Sequence, residues 1–542
     1  MKFKHLIVAV LLLVSCQLSF GQGNEIKVNS SVWIADNGDG TYKNPILHTD
    51  YSDPDVIRVE DDYYMTSSSF NCVPGLPILH SKDMVNWELV NYALQKQPPF
   101  DVYDKPQHEN GVWAPCIRYH DNEFYIYYPD PDYGIYMVKT KDPRGIWSAP
   151  IMVKEGKGLI DPTPLWDDDG KVYLAYAFAG SRAGIKSLLA ICTLNLEGTL
   201  ANNDDVIIID GHEGESTIEG PKLYKRNGFY YVFAPAGGVP TGWQTVLRSK
   251  NIYGPYEKRK VMDQGKSSIN GPHQGAWVQT QTGEDWFFHF QDKGAYGRIV
   301  HLQPMKWIKD WPVIGIDKDG DGTGEPVMKY KKPNVGKSFA VKTIEDSDEF
   351  NSPSLGLQWQ WHANPQVYWG FPSSMGYYTM YCRPMPKEAA NLFDVGNLLL
   401  QKFPAEEFTA TTKMTFNARF DEEQTGLLIM GLDYSYLKVK QSKGALYLSQ
   451  VICKNADKKG LETESDAAKL KNNTFYLQVK VSVVGVCDFL YSEDGVKFKS
   501  VGSSFTAREG KWIGAKLGFL ALRNGNINDA GSVRIDWFRI TK

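Results

Sequence analysis

Helical periodicity is scarce along this chain. Apolar residues at the spacing of an amphipathic helix hardly occur in its 542 residues, which argues against helical bundles and doubly wound sheets as the framework. Cysteine is scarce as well. The seven cysteines show no metal-ligand pairs and no disulfide rhythm, so most are expected to be buried small residues. A net charge of −4 offers no basic surface to a nucleic acid. Beyond the first residues no apolar run is long enough for a membrane helix. That first stretch has a basic start (Met1 to His5), a short apolar run (Leu6 to Val14) and small residues around Gly21, and it reads as a secretory signal over 1–21. Leu13 to Cys16 also fits a lipoprotein cleavage box, which would leave Cys16 lipid-anchored. The apolar residues after Cys16 favour plain export, to the periplasm first and secretion otherwise.

Aromatic residues are plentiful, at 13% with 15 Trp and 30 Tyr. They suit sheet packing, and their faces also stack on sugar rings. Their placement repeats. Five β-hairpins recur at intervals of roughly 50 to 60 residues: Val56–Met65, Cys116–Ile126, Pro164–Leu174, Lys222–Phe233 and Ala276–Phe288. A further strand follows in three copies, at His80, Lys139 and Arg248, each with an aromatic soon after (Trp87, Trp147, Tyr256). One four-stranded sheet per copy predicts an all-β, five-bladed β-propeller over 22–330.

The residue entering each hairpin carries the chemistry. Counting back from the second-strand aromatics Tyr64, Tyr125, Tyr173, Tyr231 and Phe287 gives Asp53, Trp113, Asp161, Glu219 and His273. Equivalent positions of a propeller surround its axis, so three carboxylates, a tryptophan and a histidine are predicted to face one funnel. Asp55 falls out of that phase and is left aside. Asp317 to Glu325 begins like a calcium loop, but Met328 stands where the twelfth-position glutamate belongs, so a polar turn is the better reading. Lys331 to Gly336 is a plausible linker. Beyond it, alternating strands such as Phe408–Phe416 and Leu477–Val483 predict a β-sandwich over 337–542.

Asn44-Pro45-Ile46, Ser52-Asp-Pro-Asp55, His80-Ser-Lys-Asp83, Trp113-Ala-Pro115, Ile160-Asp-Pro162, Glu219-Gly-Pro221 and Gly297-Arg298 together resemble glycoside hydrolase family 43. The resemblance spans the N-terminal part, and the C-terminal part resembles the concanavalin-like sandwich of two-domain members. It implies that Asp53 is the general base, Glu219 the general acid, and Asp161 the acid that keeps Glu219 protonated. It further implies that Phe70, Trp113 and Arg298 bind the terminal sugar. His273 matches a histidine that in some members helps hold a calcium ion through water. No cofactor is required; a structural calcium is the one metal implied. Inverting hydrolysis needs just such a base and acid on opposite sides of the sugar.

The implied activity is exo-acting and inverting. The first expectation is release of terminal α-L-arabinofuranose from plant cell-wall polysaccharide or oligosaccharide, with a β-D-xylosidase or a bifunctional enzyme as the alternative. A fructan-cleaving propeller is a rival, but it uses Asn-Asp-Pro-Asn-Gly, Arg-Asp-Pro and Glu-Cys, where this chain has Ser52-Asp-Pro-Asp55, Ile160-Asp-Pro162 and Glu219-Gly220. A non-catalytic sugar-binding propeller is the remote alternative and would have shed at least one acid. No second subunit is called for, so a monomer is expected. The stretch Gln358 to Pro365 carries more aromatic surface than a sandwich strand needs, which predicts docking on the propeller and a loop of the sandwich at the pocket rim.

Overall fold

The computed structural model describes residues 29–525 and 528–542, so the leader and Cys16 lie outside the described residues. Among the described residues the fold is nearly all β, with one four-residue α-helix, Gly180–Ala183, and four three-residue 3-10 turns. Five four-stranded antiparallel sheets follow one another in sequence order, each strand pairing with the next. The first blade runs Asp55–Val59, Asp62–Thr66, Gly75–Ser81 and Trp87–Leu94; the fifth runs His273–Gln279, Asp285–Asp292, Arg298–Ile308 and Trp311–Ile314. The first strands of neighbouring blades meet around the axis at four of the five junctions, while the first strand of the fifth blade packs mainly on the second strand of the fourth.

All five predicted hairpins are present. Their tight turns explain the local choice of residues. Asp121-Asn122 and Asn227-Gly228 each hold positive φ at both central positions (47° and 61°; 50° and 74°), as a two-residue hairpin turn requires. Alternation then sends successive side chains to opposite faces, so each blade offers apolar rows to both neighbours. Five buried clusters fill the five gaps. Ile78 with Ile117 joins blades one and two, Tyr127 with Leu174 two and three, and Ala175 with Val232 three and four. Phe233 with Phe287 joins four and five, and Met65 with Phe288 closes the ring. The N-terminal segment clasps that closure: Thr41–Lys43 pairs with Lys329–Lys331, and Asn44 donates to the Leu302 and Val327 carbonyls at 2.8 Å.

The C-terminal part is a sandwich of a nine-stranded and an eight-stranded sheet. In Phe408–Asn417 every second residue is buried, the alternation its sequence implies. The sandwich does not hang free. Val73 and Trp361 exchange backbone hydrogen bonds of 3.1 and 2.6 Å, Asn364 donates to the Tyr103 carbonyl at 2.7 Å, and Ala515 to Ala295 at 2.7 Å. Ala295, Tyr296 and Ile299 of the propeller belong to the sandwich's own apolar core. The aromatic stretch from Gln358 is therefore part of a shared interface, as expected. Among the described residues no helix is long and apolar enough to cross a membrane.

Candidate active site

The funnel opens into a pocket of about 780 Å³ lined by all seven predicted site residues: Asp53, Phe70, Trp113, Asp161, Glu219, His273 and Arg298. They do not share one phase, and here the sequence count needs correcting. Strand register pairs Ile57 with Tyr64 and Leu165 with Tyr173, which puts Asp53 and Asp161 four residues before the paired position. Tyr224 pairs with Tyr231 and Arg118 with Tyr125, which puts Glu219 and Trp113 five before it. The longer turn of the third blade, Asp167 to Lys171, hid the slip. Glu219 still reaches the pocket because Gly220 turns the chain at φ 61°. A Cβ at Gly220 would come within 2.9 Å of the Gln274 side chain, so glycine is needed there for space as well as conformation.

Asp53 and Asp161 also sit at positive φ, 53° and 57°. For non-glycine residues this is uncommon, and the surrounding bonds hold it. Asp53 accepts from the Ser52 hydroxyl at 2.8 Å and the Ser68 hydroxyl at 2.5 Å, while Arg298 Nη1 lies 3.0 Å from its Oδ1. Arg298 is itself fixed: its backbone N–H donates to Asp50 at 2.9 Å, and its guanidinium lies over the Phe290 ring. Asp161 accepts from the Gly220 N–H at 2.7 Å and from Gln274 at 3.4 Å. Its carboxyl is pushed up to about 6, by burial first and by the Asp53 charge, against the pull of the Gly220 N–H.

Glu219 differs from both. No hydrogen bond reaches its carboxyl among the described residues, and its side chain is 26% exposed, onto the pocket. Burial, then the negative charge of Asp161, push it up to about 8, with Arg298 opposing. At neutral pH it therefore holds its proton while facing the cavity, the state a general acid needs.

His273 is buried, with Nε2 3.6 Å from Glu219 Oε1, and neither ring nitrogen has a partner among the described residues. Burial and the Arg298 charge depress it to about 3, so the imidazole is neutral. A neutral ring with a free nitrogen fits a water, or an ion held through water. It is not part of a direct ligand set: among the described residues the one group of three acidic ligand atoms within 4.8 Å of each other is Asp317, Asp319 and Asp321. Asp317 accepts the N–H groups of Gly320 and Gly322, Asp319 that of Asp321, and Asp321 that of Thr323, as in a polar turn.

Phe70 is buried at φ 50°, its backbone paired with Val112, and Trp113 is held through its indole N–H on the Glu109 carbonyl. Asp55 turns away from the pocket. Its Oδ2 takes the Ile117 N–H and Arg118, both at 2.8 Å, and buried Lys222 stands 3.9 Å from Oδ1, a charge cluster beneath the acids.

Sequence reasoning missed two contributors. Gln274, next to His273, braces Asp161. Trp512 comes from the sandwich and closes the pocket's outer side, its ring 5.5 Å from the Arg298 guanidinium. Its loop is pinned at both ends, by the Leu432 N–H on the Glu509 carbonyl and the Gly514 N–H on Asp50. Gly297 lets it come close, since a Cβ there would sit 2.6 Å from the Gly514 nitrogen. An aromatic between Gly510 and Gly514 was the available signal. Nothing in the sequence said which loop meets the funnel.

Residues 42–312 match the model of glycosyl hydrolases family 43, and residues 347–541 match the beta xylosidase C-terminal concanavalin A-like domain. A provisionally named beta-xylosidase of Xylanibacter ruminicola is 37% identical over 506 residues, 91% of this chain and 89% of that protein. A non-reducing end alpha-L-arabinofuranosidase of Bacteroides ovatus is 29% identical over 421 residues, 73% of this chain and 75% of its own length. Among solved structures, the GH43 protein BlXynB of Bacillus licheniformis superposes with a TM-score of 0.81 at 27% identity, covering 92% of this chain and 99% of its own.

Proposed function

The chain belongs to glycosyl hydrolase family 43, and from that premise we propose an exo-acting, inverting β-D-xylosidase that also accepts terminal α-L-arabinofuranosides. The order of the two sugars reverses the expectation drawn from sequence. The observation that carries it is the similarity over both domains: the sandwich matches a module named for beta-xylosidase, and a relative so named, provisionally, covers 91% of the chain. The arabinofuranosidase relative covers less of the chain at lower identity, which supports the second sugar as a side activity.

In this reading the terminal xylose sits between Asp53 and Glu219, with Phe70, Trp113 and Arg298 around it. Asp53, aligned by Ser52, Ser68 and Arg298, takes a proton from a water that attacks the anomeric carbon from one face. Glu219 delivers its proton to the leaving oxygen on the other. Asp161 keeps that proton on Glu219 until the bond breaks. Trp512 closes the outer side, which suits a pocket for chain ends. His273 positions a water at the axis; a hydrated calcium ion there would add positive potential beside the acids without entering the reaction. Export to the periplasm as a monomer acting on plant cell-wall oligosaccharides belongs to the same proposal.

The test is paired kinetics on aryl β-D-xyloside and aryl α-L-arabinofuranoside. A higher kcat/KM on the xyloside is expected. A clear preference for the arabinofuranoside would restore the original order.

A further inference from the structure

The interface between the domains holds an unusual pair. Lys516, on the strand Lys516–Arg523 of the sandwich, is 4% exposed, and Cys72 of the propeller is 3% exposed. Lys516 Nζ lies 2.9 Å from Cys72 Sγ and 2.9 Å from Gln360 Oε1. Among the described residues no carboxylate oxygen lies within 4.0 Å of this nitrogen. A buried lysine ordinarily needs a carboxylate. Here it has a thiol and an amide oxygen, beside a second buried lysine, Lys402, whose own ammonium is disfavoured by burial and by the Lys516 charge. The other five described cysteines are buried too, and none of them has a lysine nitrogen against its sulfur.

From this geometry we propose that Cys72 and Lys516 are an oxidative modification site, joined by a single oxygen atom between Sγ and Nζ to form a reversible covalent tie across the domain interface. The gap is one that a bridging oxygen spans, and it is too wide for a direct S–N bond. A small cavity of about 20 Å³, room for one molecule of the size of water, is lined by Lys516 and by Asn71, the neighbour of Cys72, so the pair borders open space on the lysine side. The chemistry balances with two molecules of peroxide. The thiol takes oxygen from the first, giving the sulfenic acid and water. The Lys516 nitrogen, once it has given its ammonium proton to water, forms the N–O bond to that oxygen, and the two further protons and two electrons released reduce the second peroxide to two waters. The net change is one oxygen gained and two hydrogens lost. Thiol reductant reverses it.

The position gives the tie a consequence. The Cys72 N–H donates to the Ser69 carbonyl, closing a turn around Phe70, and Val73 pairs with Trp361 of the sandwich. A bridge at Cys72 would anchor the segment carrying the Phe70 pocket wall to the sheet that also carries the Trp512 loop.

The experiment is a mass map of the full-length protein treated with hydrogen peroxide, with and without later thiol reductant. Oxidation of Met375, which is 70% exposed, reports that the dose was sufficient. The expected result is a linked pair of peptides, one containing Cys72 and the other Lys516, heavier than their sum by one oxygen less two hydrogens and separated by reductant. The melting midpoint should rise with the linked fraction, and Cys72→Ser should show neither change. Cys72 found as free thiol, or as sulfinic or sulfonic acid beside unmodified Lys516, in a sample whose Met375 is oxidised, would overturn the proposal. A link lacking the oxygen would overturn it too. The wild-type map decides this even if the serine variant folds poorly.

Discussion

The two walls of the pocket are built in opposite ways. On the propeller side, Asp53, Asp161 and Arg298 are each less than a tenth exposed and are fixed by partners from other parts of the chain. On the sandwich side stands one loop, whose Trp512 ring is 53% exposed. The difference teaches where each property resides. Protonation states need a rigid, low-dielectric surround, and the inner wall supplies it. The size and closure of the sugar pocket need only a ring held at the mouth, and an edge loop can provide that.

Substitutions on the two walls should separate these roles. The largest effects belong to the inner wall. Asp53→Asn and Glu219→Gln should each lower kcat on natural oligosaccharides by about 10²- to 10⁴-fold while keeping the native fold. An aryl glycoside with a good leaving group should restore much of the loss for Glu219→Gln and none for Asp53→Asn. Equal rescue of both would dissolve the division of labour. Next is the wall as a unit: cutting the chain after Lys332 should leave the propeller insoluble or nearly inactive, because Ala295, Tyr296 and Ile299 would lose their apolar partners. A soluble propeller with full activity on short substrates would make the sandwich an independent module.

A pH series sharpens the comparison further. In the proposed mechanism Glu219 acts in its protonated form, so activity should fall as pH rises through its raised value of about 8. Asp161→Asn removes a neighbouring negative charge that contributes to this, so the basic limb should move to lower pH. Stability runs in the same direction. A carboxyl whose folded value lies above its unfolded value favours the fold fully at pH below about 4, and that contribution is lost as pH rises toward about 8. Glu219→Gln should therefore melt higher than the native protein at pH 8 and equal to it at pH 4. Melting points that agree at both pH values would mean the carboxyl titrates normally.

The outer wall should give smaller changes. Trp512→Ala should raise KM by about 3- to 10-fold, the value of one ring contact, with kcat changed less. Chelation should do least of all, leaving kcat unchanged within error, since the proposed reaction routes no step through a metal. A large loss reversed by calcium would move the ion into the catalytic machinery.

Much of the inner wall was legible in the sequence because it repeats. Ser52-Asp53-Pro54, Ile160-Asp161-Pro162 and Glu219-Gly220-Pro221 are local signals at hairpin entrances, and a five-fold framework told where they converge. The count slipped at Glu219 and Trp113 because register depends on turn length, which only pairing reveals. Trp512 was not legible, since its place rests on contacts between residues hundreds of positions apart, such as Gly514 with Asp50. The same holds for the Cys72–Lys516 pair, which no spacing could bring together.

The central claim is that acid and base act from opposite faces of one sugar. Proton NMR of the first xylose released from an aryl β-D-xyloside tests it most directly. The α-anomer is expected to appear first, with the β-anomer growing in by mutarotation. The β-anomer appearing first would contradict it.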